Sequence, residues 1–328
     1  MTSPRQASII AAYGTQQRVS RALQERYSVI QVTRPSLTEE VAGLHQDEAV
    51  RIEVLVTPGG NRVPSEALSR LRNLRLIACT SSGYDGVDVS YSLTHRIAVT
   101  NCPKVNASSV ADLAIGLLIA STRQLFVASQ TLRAHGFVKP WPVAPGLTGR
   151  CAGVYGLGAI GLRVAQRLCA LEMNVGYCAR TAQPNVPYRF FPSVVTLAEW
   201  CDALIICVPA TDETERSVNA SVLAALGPSG FLVNVSRASV VDTATLCDFL
   251  ERQAIAGAAL DVCDAEYLQR LLSLPNATMT PHIGGSTEQA EEATCELVLR
   301  NVEAHFAAVP LLTPVFGPLS DANPQGAR

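Results

Sequence analysis

The sequence predicts an α/β protein built as two doubly wound parallel-sheet domains. Three observations carry this. Short β-rich runs alternate with helically spaced apolar residues along nearly the whole chain, in two successive series. A Pro- and Gly-rich stretch, with Pro140, Pro142, Pro145, Gly146 and Gly149, separates the two. The second series opens with a strand, a glycine loop and a helix in direct succession, the loop being Gly156-Leu157-Gly158-Ala159-Ile160-Gly161.

In the first series, residues 8–13 read as a strand that stops at Gly14, and Val19, Leu23 and Tyr27 follow at helical spacing. Residues 28–32 read as the next strand, and Ser36-Leu37-Thr38-Glu39 has the form of a capping box that opens a helix. Strands at 52–56, 74–79 and 97–99 complete the series, the first of them closed by Pro58-Gly59-Gly60. One long helix is expected over 108–128. The second series places strands at 151–155, 174–178, 203–208, 231–235, 258–262 and 277–280, and a last helix at 287–306 whose position allows it to return to the first domain. The expected division is 1–102 plus 286–328 for one domain and 103–285 for the other, with a fraying tail over 318–328. No internal repeat or low-complexity segment interrupts this pattern.

Composition narrows the function. A chain of 328 residues suits roughly two domains of about 150 residues each, enough to bury a core without a structural metal or disulfides. Hydrophobic residues at 48% and charged residues at 16% make it globular and not disordered. A net charge of −2 with no dense Lys/Arg run argues against nucleic acid or an anionic membrane as the main partner. The ten cysteines contain no Cys-x-x-Cys pair, so reduced, mostly buried thiols are expected. The first ten residues lack signal-peptide architecture. The apolar run 113–120, flanked by Asp112 and Arg123, is shorter than the roughly 20 residues a bilayer requires. The expectation is a soluble cytoplasmic protein.

A glycine triplet alone marks many tight turns. Here it follows an apolar strand and precedes Ile160, Val164 and Leu168 at helical spacing, which points to a dinucleotide. In that reading Gly156 permits the sharp turn, Gly158 lets backbone approach the pyrophosphate, and Gly161 lets helix and strand pack closely. The helix N-terminus supplies amides and its dipole to the phosphates. The end of the next strand decides the cofactor. An acid there would accept from the ribose hydroxyls of NAD. The strand instead ends Tyr177-Cys178-Ala179-Arg180, and no acid lies between Glu172 and Glu199. Arg180 can pair with a 2′-phosphate that an acid would repel, so NADP(H) is favoured over NAD(H).

Three ionisable residues lie near expected strand C-termini, where open α/β sheets place their sites. His282 stands in Thr280-Pro281-His282-Ile283-Gly284-Gly285, Glu266 follows Leu260-Asp261-Val262, and Arg237 ends Asn234-Val235-Ser236-Arg237. A carboxylate beside His282 would favour imidazolium and make it a proton donor near neutral pH. A guanidinium at Arg237 can grip a carboxylate and polarise a keto oxygen. Singly each has a plainer reading, as a core histidine, a solvated helix end and a surface ion pair. Together they read as proton transfer beside a bound carboxylate. His45, His95, His135 and His305 keep structural readings.

These motifs, with Ser82-Gly83-Tyr84-Asp85-Gly86-Val87-Asp88, Thr100-Asn101-Cys102-Pro103 and Gly257-Ala258-Ala259-Leu260-Asp261-Val262, resemble the D-isomer-specific 2-hydroxyacid dehydrogenases. That family includes glyoxylate/hydroxypyruvate reductases and phosphoglycerate dehydrogenase, and the likeness runs over about 71–306. It implies two Rossmann-like domains with an active-site cleft between them, a flavodoxin-like substrate-binding domain drawn from both chain ends, and a homodimer. It implies Arg237 as the substrate-binding arginine, Glu266 as the partner of the acid/base His282, and backbone amides at Ser82 and Gly83 facing the substrate carboxylate. Ala159 and Ile160 match the pyrophosphate contact, Asp261 the position near the nicotinamide carboxamide, and Val208 and Pro209 the cofactor cleft. Val235, Ser236, Arg237, His282, Gly284 and Gly285 fall at further cofactor-contacting positions. Three neighbours depart from the family pattern: Ala238 stands where Gly is usual, Tyr267 where Pro is usual, and Ala159 where a larger, often basic residue is common.

The expected activity is hydride transfer between NADPH and C2 of a small 2-oxo or 2-hydroxy acid, D-specific. A 3-phosphoglycerate or phosphonate-bearing substrate is the alternative. Arg62 in the candidate specificity loop 58–62 is read as solvated. A dinucleotide-sensing corepressor on the same fold is the non-enzymatic alternative, which the lack of a basic patch or added recognition segment disfavours. A formate dehydrogenase type is disfavoured because Glu266 is present.

Overall fold

The computed structural model describes residues 9–316. Ser8 of the first expected strand, most of the N-terminal stretch and the tail 318–328 lie outside the described residues. The chain forms two compact units, one running to Val105 and resuming at Glu288, the other spanning Asn106–Thr287. The sequence reading set these cuts a few residues earlier, at 102/103 and 285/286. Cys102 and Val105 both pack in the first unit's core, which carries the boundary past them.

The first unit holds a parallel sheet of β1 (Ile9–Ala11), β2 (Val29–Gln31), β3 (Val54–Thr57), β4 (Leu76–Cys79) and β5 (Ala98–Thr100), ordered β2-β1-β3-β4-β5. This is the flavodoxin-like winding. Strands β1, β3 and β4 are buried throughout, which is why they read as unbroken apolar runs. Their side chains alternate between two cores. Ile10, Leu55 and Ile77 meet Leu37, Val41 and Leu68 on one face. Ile9, Val54, Val56 and Leu76 meet Val19, Leu23, Val298 and Val302 on the other. Val298 and Val302 belong to the helix Glu288–Phe306, which packs against the helix Gln17–Gln24. Half of the capping box forms at Ser36, whose Oγ accepts the Glu39 N–H at 3.3 Å. The reciprocal pair is instead at His45 and Glu48, one helix later. His45 is thus a helix cap.

The second unit holds β6 (Cys151–Tyr155), β7 (Asn174–Cys178), β8 (Arg189–Phe191), β9 (Ala203–Ile206), β10 (Phe231–Asn234), β11 (Gly257–Leu260) and β12 (Ala277–Met279). All pair in parallel in the order β12-β11-β10-β9-β6-β7-β8. The winding reverses at β6, so a topological switch point lies between β6 and β9. Strand β8 was absent from the sequence reading. It is a three-residue edge strand whose Arg189 stacks over Phe191 at 4.7 Å, a cation–π contact rather than an apolar run.

One long helix was expected over 108–128, and the structure forms two: Ala107–Thr122 and Leu125–His135, bent by 56°. Gln124 sits at φ 49°, in the left-handed region, and Thr122 Oγ1 donates back to the Leu118 carbonyl at 2.9 Å. The side-chain bond and the left-handed residue end the first helix where helical spacing alone shows no stop. No single helix among the described residues is long and apolar enough to cross a membrane; this bent pair passes by length and composition only, and Ala111, Ala114, Leu117 and Leu118 of its first half are buried in the second unit's core. The ten cysteines are free thiols, and burial pushes those of Cys79 and Cys102 up to about 12.

Candidate active site

The glycine loop leaves β6 at the switch point. Gly156 has φ +97° and donates its N–H to the Cys178 carbonyl at 2.8 Å, tying the turn to β7. A Cβ on Gly156 would lie 2.8 Å from the Val208 nitrogen, so only glycine fits against the chain leaving β9. A Cβ on Gly161 would overlap the Gly156 carbonyl oxygen, which is how the helix Ala159–Ala170 seats against the turn. Gly158, its N-cap, faces open space, with nothing within 4 Å of an added Cβ, and no side chain caps the helix. The amides of the first turn thus point into room that a pyrophosphate fits. Gly161→Ala should lose dinucleotide binding and about 1–3 kcal/mol of stability by overpacking; NADPH fluorescence titration and thermal melting check both.

At the end of β7, Ala179 packs on the core and Arg180 is exposed, with no side-chain partner among the described residues. The loop that carries Arg180 is anchored by Gln183. Its N–H donates to the buried Tyr177 hydroxyl at 2.6 Å, and its Nε2 donates to the Leu157 carbonyl at 2.9 Å. Gln183 therefore joins the second loop to the glycine loop, a link no local sequence signal announces. Val208 is buried at the end of β9 and Pro209 is exposed beyond it.

The other candidates gather past β10, β11 and β12, three neighbouring strands, on the same sheet edge as the glycine loop. Asn234, 1% exposed, ends β10 and builds the turn that presents Arg237. Its Oδ1 accepts the Ser236 N–H at 3.0 Å and its Nδ2 donates to the Arg237 carbonyl at 2.9 Å. Ser236 Oγ donates to the Val208 carbonyl, which ties this turn to the loop after β9. Val235 is buried beneath, and Arg237 is half-buried with Nη1 donating to the Ser236 carbonyl at 2.9 Å. Asn234 stood in the motif and was not assigned a role from sequence.

Asp261 follows β11 directly and is 3% exposed. Its N–H donates to the Asn234 carbonyl at 2.9 Å, linking the two strand ends. His282 lies three residues beyond β12, exposed, at φ +56°, with its N–H donating to the Thr280 carbonyl at 3.0 Å. Gly284 is buried and Gly285 lies close to Asn106. Glu266 is exposed in the 3-10 turn Ala265–Tyr267, whose preceding Asp264 accepts from Thr243 Oγ1 at 2.7 Å. Among the described residues no hydrogen bond or ion pair joins the Glu266 and His282 side chains.

Ser82 and Gly83 belong to the first unit, in the loop after β4. The Ser81 carbonyl accepts the Cys102 N–H at 2.9 Å and the Ser82 carbonyl accepts Asn101 Nδ2 at 2.7 Å. In a trans peptide the N–H points opposite to the carbonyl, so the amides of Ser82 and Gly83 are turned away from the Asn101–Cys102 segment. Ser82 Oγ donates to the Cys102 carbonyl at 2.8 Å, fixing the loop.

The chain is similar to known proteins over most of its length. The model of the D-isomer specific 2-hydroxyacid dehydrogenase NAD binding domain matches residues 115–284. The chain is 36% identical over 254 residues to glyoxylate/hydroxypyruvate reductase A of Arabidopsis thaliana, across 76% of this chain and 81% of that one. It is 35% identical over 271 residues to the hydroxyphenylpyruvate reductase of Plectranthus scutellarioides, across 82% and 87%. The solved structure of an NADPH-dependent glyoxylate/hydroxypyruvate reductase from Sinorhizobium meliloti, in complex with NADP and malonate, aligns with a TM-score of 0.87 at 37% identity, covering 94% of this chain and 97% of that one. Fold, site and likeness define a nicotinamide-dependent oxidoreductase of 2-hydroxy acids. The chain belongs to the D-isomer-specific 2-hydroxyacid dehydrogenase family.

Proposed function

We propose that this protein uses NADPH to reduce the C2 carbonyl of a small 2-oxo acid, glyoxylate or hydroxypyruvate foremost, to the D-2-hydroxy acid. The observation that carries this is the placement of Arg237 and His282 past the C-terminal ends of β10 and β12, on the sheet edge that holds the glycine loop. The dinucleotide, when bound, supplies the hydride. The first-turn amides of the helix Ala159–Ala170 hold its pyrophosphate, and Val208, Pro209, Val235, Ser236, Gly284 and Gly285 line its path. Arg237 holds the substrate carboxylate. His282 donates a proton to the carbonyl oxygen as it becomes hydroxyl, and takes it back in the oxidative direction. Glu266 is the proposed partner that orients the His282 ring in the substrate complex, since catalytic hydrogen bonds tighten there.

The NADPH preference rests on Arg180, exposed and without a side-chain partner among the described residues, beside Ala179 where an acid would select NAD. The named cofactor of the Sinorhizobium meliloti relative agrees with it. Arg180→Glu should raise the NADPH KM by about 10- to 100-fold, the worth of one or two charge-assisted hydrogen bonds, and leave the NADH KM nearly unchanged. The decisive assay follows NADPH and NADH consumption with glyoxylate, hydroxypyruvate, pyruvate, aryl pyruvates and phosphonate-bearing 2-oxo acids, with chiral analysis of the product. Turnover with none of them, or faster oxidation of NADH at equal concentration, defeats the corresponding half of the reading.

We further infer a homodimer in a reducing, cytoplasmic setting. The segment after Gln124 exposes Phe126, Leu132, Phe137 and Val143, Phe137 at 90%, an apolar surface of the kind that a partner covers. The free thiols fit the compartment. Phe137→Asp with Val143→Asp should halve the mass seen by sedimentation.

A further inference from the structure

We propose that Asp261 is the positioning residue that holds His282 in its left-handed turn, an inference that rests on the reading of His282 as the acid/base. A non-glycine residue at positive φ is strained by about 1–3 kcal/mol and persists only where its surroundings over-determine it. His282 is such a residue, at φ +56°, and its own side chain has no partner among the described residues that could hold it there. The restraint comes from the chain on both sides. Before it, Thr280 Oγ1 donates to Asp261 Oδ1 at 2.6 Å. After it, the Ile283 N–H donates to the same Oδ1 at 2.9 Å, and the Gly284 N–H donates to Oδ2 at 2.9 Å. One buried carboxylate therefore grips the turn at three points around His282 and touches neither its ring nor its backbone.

The chemistry suits a carboxylate and no other side chain. An ionised carboxylate is acceptor-only, with about four lone-pair sites, and three donors already converge on it. The amide of asparagine would bring a donor against the Ile283 or Gly284 N–H, and a buried unpaired donor costs about 1–3 kcal/mol. Gly284 contributes by size, since a Cβ there would lie 3.0 Å from Asp261 Oδ2. The Asp261 N–H bonded to the Asn234 carbonyl sets the carboxylate on the strand end that also carries the Arg237 turn. The proton donor and the carboxylate grip are in this way referred to one rigid pair of strand ends. A family position facing the nicotinamide carboxamide accounts for at most the one remaining lone pair.

The test is a double-mutant cycle of Asp261→Asn and His282→Ala, read by steady-state kinetics, NADPH fluorescence titration and amide hydrogen exchange of the 280–287 segment. Asp261→Asn should lower kcat by about 100-fold, the effect of misplacing a reacting group by roughly 1 Å, with the NADPH Kd within about 3-fold of wild type. Exchange at Ile283 and Gly284 should quicken while distant segments keep their protection. In the His282→Ala background the same substitution should cost nothing further, because a residue acting through another is non-additive with it. A full additive loss in that background, or a kcat loss matched by NADPH Kd, overturns the positioning role and leaves His282 in place. Near-normal turnover of His282→Ala alone instead overturns the acid/base reading beneath it. Should Asp261→Asn not fold, Thr280→Val and Thr280→Ser decide: kcat should fall several-fold with valine and be restored by serine. Equal turnover in the two overturns the proposal.

Discussion

His282→Ala should lower turnover by about 100- to 10,000-fold, the usual worth of a positioned general acid, while NADPH binding stays intact. His282 is exposed and its ring has no partner among the described residues, so little packing is lost when it is cut back. The glycine loop and the uncapped helix proposed to hold the pyrophosphate lie at β6, five positions across the sheet from β12 counting both strands. The proposed pyrophosphate contacts and the backbone of Gly284 and Gly285 are untouched by the substitution, so the expected loss falls on kcat. Alanine keeps the Cβ that makes φ +56° costly, so the backbone strain stays and no gain in melting temperature should accompany the loss of activity. Near-normal turnover with glyoxylate or hydroxypyruvate would remove His282 from the chemistry.

Arg237→Lys is the second large effect, and the more informative substitution at that site. Lysine keeps the charge and loses the planar fork that grips a carboxylate through two parallel hydrogen bonds. The expected fall in kcat/KM is about 100-fold, one charge-assisted hydrogen bond of up to about 3 kcal/mol. The loss should appear in both KM and kcat if, as proposed, the guanidinium both binds the carboxylate and polarises the keto oxygen. Asn234 keeps the backbone of the turn in place through its bonds to Ser236 and Arg237, so the change stays at the side chain. A rise in KM alone, with kcat preserved, would confine Arg237 to uniform binding.

The strands were legible because a parallel sheet covered on both faces turns sequence into apolar runs, as in Val54–Thr57 and Ala203–Ile206. Strand β8 lacked such a run and was invisible. The bend at Gln124 was missed because its causes are a backbone dihedral and a hydroxyl bond that helical spacing does not encode. Of the candidate site, the glycine loop was readable from its strand–helix context, since steric demands at Gly156 and Gly161 act over a handful of residues. The roles of Asn234, Gln183 and Asp261 as braces were not. Asp261 meets Thr280, Ile283 and Gly284 across 19, 22 and 23 residues of chain, and only the pairing of β11 with β12 brings them together.

The helix Glu288–Phe306 returns to the first unit after the whole second unit has been made. During synthesis the second unit is complete as a continuous stretch by Thr287, whereas the first waits with Val19, Leu23, Val54, Val56 and Leu76 lacking the Val298 and Val302 side chains that cover them. The segment translated first is thus finished last. Its apolar face stays uncovered for the time needed to add roughly 180 residues, about 10–40 s at typical elongation rates.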